Sequence, residues 1–354
     1  MPLLNSTIPG AEPTTAAFKA AEERRTLKDF LAGQSSHTIM RHCVGLIPCG
    51  KAPPLLQHTI VVAIACESFE VSPSPLTEIG IATFKCSQMA AVGNQGHLAE
   101  NLLKQAKYYH YRLKEVAHLV NTKYCPGKPW LNRFGITHFV NLGEAKQALR
   151  DVFQVPINPN NPRGPVCPVI FLGHAIKNDI RMLSKFLGEE DGTSSIFDSM
   201  VAVIDTQIIA RELGLERQQI GLQRLCEMHG FEFRNGHTAG NDTAYTLISA
   251  VWMAMRKELG FDNGQFRSVP KTPEQVVEAV SRSSRVQGGQ RCRGTATFCE
   301  HCESVVHRTR ACRMRVNGDY CAKAGKKAAS LTHTTHRCKN AFIANSCAAR
   351  SPYS

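Results

Sequence analysis

Four residues stand where carboxylate and imidazole chemistry would be useful. Glu67 closes the apolar run His58-Thr-Ile-Val-Val-Ala-Ile-Ala-Cys66. Asp179 lies in a helical stretch after a second apolar run, 166–172. Asp242 stands near the start of the longest helical pattern in the chain, and His237 precedes it by five residues. Carboxylates near the ends of buried strands are costly unless they hold a cation or a partner. Three that converge would repel each other, raise each other's pKa values and be relieved by a divalent metal. Hard oxygen ligands favour Mg²⁺ or Mn²⁺. A histidine beside them would take a proton from an attacking water. Singly, each has an ordinary explanation: Asp179 as a polar helix residue, Asp242 as a charge favoured by the helix dipole, and His237 as a capping neighbour.

Positioning these groups requires strands and helices in a particular order. The 58–66 run is continuously apolar and β-branched, as in a strand buried on both faces. Ser72-Pro-Ser-Pro75 breaks it, and 77–85 predicts a second strand in a hairpin with the first. Residues 98–120 read as helix-like but polar, with Tyr108, His110 and Tyr111 interleaved. Asn141 to Phe153 reads as an amphipathic helix, and 156–165 as a loop. In 176–187, Ile176, Ile180, Leu183 and Leu187 form one apolar helix face. A strand over 201–204 ends at Asp205. Helices follow over 219–229, stopped by Gly230, and over 241–259, with a stripe of Ala244, Leu247, Ile248, Val251, Trp252 and Met255. A hairpin followed by alternating strands and helices predicts an α/β domain with a mixed sheet over 57–260. Residues 1–56 read as an N-terminal extension, irregular apart from a short charged helix over 16–31, and 261–290 as a linker.

Three stretches, in order, resemble the sequence blocks of DEDDh-type 3′–5′ exonucleases. They are Val62-Ala-Ile-Ala-Cys-Glu67 with Leu76-Thr-Glu-Ile-Gly-Ile81; Phe171-Leu-Gly-His-Ala-Ile-Lys-Asn-Asp179 with Asp205-Thr-Gln207; and His237-Thr-Ala-Gly-Asn-Asp242. The chain looks closest to a fungal group of such proteins, some linked to messenger-RNA export. The resemblance covers about 200 of the 354 residues. It implies an RNase H-like mixed five-stranded sheet flanked by helices. It also implies Glu67, Asp179 and Asp242 as Mg²⁺ or Mn²⁺ ligands, and His237 as general base. The spacing alone is not diagnostic, since His174 precedes Asp179 by the same interval as His237 precedes Asp242. One departure matters. The family's D-x-E triplet is here Ala65-Cys66-Glu67, so the aspartate that would touch both metal ions is absent. Losing a bridging carboxylate costs several kcal/mol of ion binding, on the order of two or three decades of rate. Glu70 and Glu78 are the acidic residues nearby. Glu70 is three residues from Glu67 and points to the opposite face of a regular strand, which leaves Glu78 the better candidate.

A second constellation lies in the tail, over 291–340: Cys299-Glu-His-Cys302, four residues to His307, four more to Cys312. Three thiolates and one imidazole make a closed tetrahedral site suited to structural Zn²⁺. The C-x2-C-x4-H-x4-C spacing resembles the CCHC zinc knuckle of single-strand binders, with Val306 where knuckles commonly carry glycine. Phe298 and His301 offer flat faces for base stacking, and Arg308, Arg310, Arg313 and Arg315 offer phosphate contacts. Cys321, His333 and Cys338 repeat the H-x4-C ending, but Ala324 occupies the position of a second cysteine, leaving His336 or Cys347 to complete a site. Cys66, Cys86, Cys167 and Cys226 read as core thiols.

Charge follows the same division. The chain carries a net +13, of which +11 falls between Arg267 and Ser354, and seven of the fourteen cysteines lie there too. Residues 341–354 read as a terminal tail. A nearly neutral body with a basic, Cys/His-rich tail predicts a polyanion partner: single-stranded nucleic acid, RNA favoured, with an RNA-processing or export protein as a further partner. No run approaches the ~18 to 20 apolar residues of a membrane span. Met1 to Gly10 does not read as a secretory signal, so nucleus or cytoplasm is expected. The functional expectation is a 3′–5′ exonuclease of RNA or DNA working by two-metal hydrolysis, weakened at Ala65. The alternatives are an inactive exonuclease fold serving as an RNA-binding or protein-docking platform, and an α/β domain whose zinc module binds protein.

Overall fold

The computed structural model describes residues 15–47, 52–72, 74–188, 195–262, 264, 270–286 and 292–348. Its centre is one six-stranded mixed sheet in the order β4-β3-β2-β1-β5-β6. The strands are β1 (Ile60–Ser68), β2 (Leu76–Lys85), β3 (Lys107–Leu113), β4 (Thr137–Val140), β5 (Val169–Gly173) and β6 (Met200–Asp205). The β1–β2 hairpin is antiparallel, as is β2–β3, whereas β4, β5 and β6 each run parallel to their inner neighbour.

The apolar run in β1 is buried on both faces, and its alternation assigns each side chain to one of two layers. Val61 and Ala63 pack with Ala82, Phe84 and the long helix Ala239–Ala254. Val62, Ile64 and Cys66 pack with the helices Leu142–Phe153 and Lys177–Leu187 through Leu149, Phe153, Ile176 and Leu183. Asn141 starts the first of those helices with a capping box to Glu144.

Four expectations need correction. The sheet has six strands rather than five. The two strands that the sequence pattern did not mark are the short β4 and β3, the latter within the stretch read as helix-like. There the period is two, because Tyr108, His110 and Arg112 share one face. His110 and Arg112 are buried despite their polarity, which hides the apolar alternation that marks a strand. Residues 15–43 are not peripheral. Helices Thr15–Ala32 and Ser36–Cys43 bury Leu27, Leu31, Ile39, Met40 and Cys43 in the same layer as the long helix. Nor is 261–290 only a linker, because helix Pro273–Val286 buries Val276, Val277 and Val280 in that layer. Finally, Phe298 is 4 % exposed and packs on Phe139, with ring centroids 5.0 Å apart, so its face is not free for a base. The four thiols expected in the core are buried. Met1 to Gly10, the Cys347 side chain and the last six residues lie outside the described residues. Among the described residues no helix is long and apolar enough to cross a membrane.

One close approach sets the position of the long helix. A Cβ on Gly80 would lie 2.0 Å from the carbonyl oxygen of Ala239, in the helix's first turn. Gly80→Ala is therefore expected to push that turn off β2 and cost roughly 1–3 kcal/mol. A thermal melt beside wild type checks this, and an unchanged Tm would mean the helix sits further from the sheet.

Candidate active site

Glu67 lies at the end of β1, directly across from Glu78 on β2, so both side chains project from one face. Gly80 across from Ala65 and His110 across from Gly80 occupy the same face. Asp242 stands in the first turn of the long helix, which packs there. Ligand atoms of Glu67, His237 and Asp242 lie within 4.8 Å of one another. Asp179 reaches the site from the other layer: its Oδ1 accepts the backbone N–H of Cys66 at 2.8 Å, next to Glu67. Glu67, His237 and Asp242 therefore meet at the end of β1, and Asp179 stands beside that cluster, bonded to the Cys66 backbone, without being part of it.

Backbone devices hold the two helical carboxylates in place. Asp205 ends β6 and caps the helix after it through the N–H of Gln207. Its carboxylate also accepts the N–H groups of Ala175 and Ile176, both at 3.1 Å, at the entry to the Asp179 helix. His237 has φ +56°, a left-handed conformation uncommon for a residue with a side chain. Such strain persists where the surroundings over-determine it, and is frequent at functional sites. His174, despite its matching spacing, bonds Thr206 Oγ1 at 2.7 Å and serves the β5–β6 loops instead.

The electrostatics are those of crowded carboxylates without a counter-charge. Burial, then the charges of Asp242, Glu78 and Asp179, push the Glu67 carboxyl up to about 9. Burial raises Asp179 to about 7, opposed by the bond from the Cys66 N–H. Asp242 is raised well above the carboxylate range by burial and by the charge of Glu78. Its Oδ1 is buried with no hydrogen-bond partner. An orphaned carboxylate oxygen among acidic neighbours is what a divalent cation would satisfy, and hard oxygen donors suit Mg²⁺ or Mn²⁺. Glu67 and Asp242, with Asp179 beside them, are the residues that would hold one.

Residue 65 is alanine, two positions before Glu67 and on the same face. Glu78 turns inward beside the cleft, but its Oε2 accepts His110 Nε2 at 2.9 Å and the N–H of Ala239 at 3.2 Å. His110 Nδ1 in turn meets the Thr137 hydroxyl at 2.9 Å. Glu78 thus ties β2 and β3 to the start of the long helix. Sequence reasoning missed His110. Its polarity argued for an exposed helix, and only the strand register reveals it as a partner of Glu78. Glu70 points away, its carboxylate accepting the N–H groups of Thr122, Lys123 and Tyr124.

The tail forms a second centre. Ligand atoms of Cys299, Cys302, His307 and Cys312 lie within 4.8 Å of one another. Cys302 Sγ is 3.7 Å from Cys312 Sγ and 3.4 Å from His307 Nε2, close to the roughly 3.8 Å edge of a tetrahedron with Zn–S bonds of about 2.3 Å. This module is fastened to the sheet. Thr295 exchanges backbone hydrogen bonds with Phe139 at 2.7 and 3.0 Å, and Glu300 pairs with Arg112 at 2.6 Å. Between module and sheet lies a groove of about 850 Å³, lined among others by Trp130, Ile136, Thr137, Arg285, Arg308 and Arg310.

Residues 60–253 match the DEDDh family described as DNA polymerase III subunit epsilon-like, C-terminal domain. "Good for full DBP5 activity protein 2" of Saccharomyces cerevisiae is 23% identical over 260 residues, 69% of this chain and 44% of that protein. An uncharacterized protein of the same yeast is 27% identical over 224 residues, 58% of this chain and 44% of its own length. The chain spans less than half the length of these relatives. Among solved structures, exonuclease I aligns with a TM-score of 0.31 and 15% identity, over 58% of this chain and 42% of that one.

Proposed function

This chain belongs to the DEDDh exonuclease-like family, and from that premise we propose that it binds single-stranded nucleic acid, RNA in preference, with a 3′–5′ exonuclease site weakened by Ala65. The convergence of Glu67, Asp242 and His237 at one strand end, with Asp179 beside them, carries the reading. Bound Mg²⁺ or Mn²⁺ would neutralise charge on the scissile phosphate and lower the pKa of the attacking water. The chain's own residues orient and accept protons. His237 is exposed at the mouth of the cleft and is placed to take a proton from that water. Asp179 is fixed by the Cys66 N–H, and Glu78 is held out of the ligand set by His110.

The groove beside the zinc module supplies the means to hold a strand. Trp130 is 58 % exposed and offers a stacking face, while Arg308 and Arg310 are exposed at the groove. Thr137 lines the groove and also bonds His110, which holds Glu78 at the cleft, so groove and cleft share one wall. The specific observation favouring the second reading, a catalytically silent RNA-binding or docking platform, is alanine at 65 together with the anchoring of Glu78. An RNA-processing or export protein as partner and a nuclear or cytoplasmic setting belong to the same reading; the yeast relative is itself named for the activity of another protein, DBP5.

A binding measurement tests the groove. Arg308→Ala with Arg310→Ala is expected to weaken binding of a single-stranded RNA about tenfold near 0.1 M salt. It should also flatten the slope of log K against log salt by about 1.4, because two phosphates would no longer be neutralised by the protein. Unchanged affinity and slope would place the strand elsewhere.

A further inference from the structure

We propose that Cys321, His333 and Cys338 form a second zinc site in the tail, with three protein ligands and a fourth position for water or an incoming donor. Ligand atoms of the three residues lie within 4.8 Å of one another. The two sulfurs are 3.5 Å apart, and both thiols are free. That separation is close to the roughly 3.8 Å edge expected around zinc, and it resembles the 3.7 Å between Cys302 and Cys312 in the first centre.

Both sulfurs already receive the donors that metal thiolates use. Asn340 Nδ2 donates to Cys321 Sγ, and the Ala341 N–H donates to Cys338 Sγ, each at 3.4 Å. Such outer hydrogen bonds orient ligands and stabilise the thiolate form. His333 Nδ1 lies 3.0 Å from the Thr332 hydroxyl, whereas its Nε2 is buried with no partner. Gly318 leaves room for this ring, since a Cβ there would fall 2.4 Å from Nε2.

The surroundings explain why the site differs from the first. Ala324, in place of a second cysteine, is exposed just beyond the short helix Asp319–Lys323. His336 is engaged by Glu303 at 3.1 Å. Neither is a fourth ligand, and the side chain of Cys347 lies outside the described residues. The two centres are clamped together. Glu303, which follows Cys302, accepts Arg337 Nε at 2.8 Å and Nη2 at 2.6 Å. Arg337, which precedes Cys338, is buried and lies 5.2 Å over the Phe298 ring beside Cys299. Beyond residue 291 the buried apolar side chains are only Phe298, Cys299, Val316, Cys321 and Cys338, among the described residues. So small a core does not hold a segment of this length, and metal binding supplies the missing folding free energy.

Metal content of the full chain, purified without chelator under reducing conditions, decides the matter. Two zinc ions per chain are expected, falling to one in Cys338→Ser and to one in Cys302→Ser. One zinc in wild type, or an unchanged content in Cys338→Ser, would overturn the proposal. A readout that needs no variant is Co²⁺ substitution of the wild-type chain. Two spectroscopically distinct sites, one with three thiolates and one with two, are expected. A single cobalt site, or a Cys321–Cys338 disulfide found by mass spectrometry, would equally refute it.

Discussion

Ala65→Asp is expected to raise Mn²⁺- or Mg²⁺-dependent release of nucleotides from the 3′ end of a labelled oligonucleotide by at least two decades. The position is right for it. Residue 65 shares a face with Glu67, two residues away on the same strand, and is only half-buried. An aspartate there would give the cleft a carboxylate from β1 in addition to Glu67, the shared ligand that alanine cannot provide. A charged ligand to two cations is worth several kcal/mol, and each ~1.4 kcal/mol is a decade of rate. Asp179→Ala in the same background should abolish the gain, because Asp179 closes the cleft from the opposite layer through Cys66. Activity in wild type that vanishes in Asp179→Ala identifies a working nuclease. Activity that emerges only with Ala65→Asp identifies the platform reading. If neither wild type nor Ala65→Asp cuts, the carboxylate cleft has no hydrolytic role.

The cleft should also make metal-free stability depend on pH in an uncommon direction. Folding raises Glu67 to about 9 and Asp179 to about 7, above their ordinary values of 4.5 and 3.8. The folded chain then binds these protons more tightly than the unfolded chain. Their contribution is complete below about pH 4 and is lost as pH rises through 7 and then 9. Without divalent cation, Tm is expected to fall between pH 5 and 8.5 by more than roughly 5 °C from these groups, several kcal/mol at about 1.4 kcal/mol per pKa unit. Saturating Mg²⁺ or Mn²⁺ replaces the protons and should recover most of that loss at the higher pH. Asp242→Asn removes a neighbouring charge and a ligand, so both the slope and the cation response should shrink. The comparison requires zinc-loaded protein and no chelator, which would strip the tail. A cation-independent Tm at pH 8.5 would mean that the carboxylates do not share an ion.

Several features were legible from local pattern because their cause is local. Continuous β-branched runs marked β1 and β5 as strands buried on both faces, and the 3.6-residue stripe marked the long helix. The spacing of Cys299, Cys302, His307 and Cys312 brings their side chains within reach of one another. The elements misread share a different property, since their role depends on what covers them. β3 carries His110 and Arg112 on a buried face, and those polar residues look exposed until Glu78 and Glu300 arrive as partners. The helices at 15–43 and 273–286 have short apolar stripes, whose burial follows only once the long helix offers a surface. Phe298 beside Cys299 looked like a stacking face, yet Phe139 and Arg337 occupy it.

By itself, the order of residues determined which carboxylates were available, which one was absent, and that a basic, Cys/His-rich tail accompanied them. These are matters of composition and short-range spacing. Only the folded chain decided that Glu67, Asp242 and His237 meet, that Glu78 is drawn aside by His110, and that the tail packs on the sheet to form a groove. The reason is that convergence across more than a hundred residues depends on strand register and helix packing. Those are settled by the whole buried surface at once, and no local window contains them.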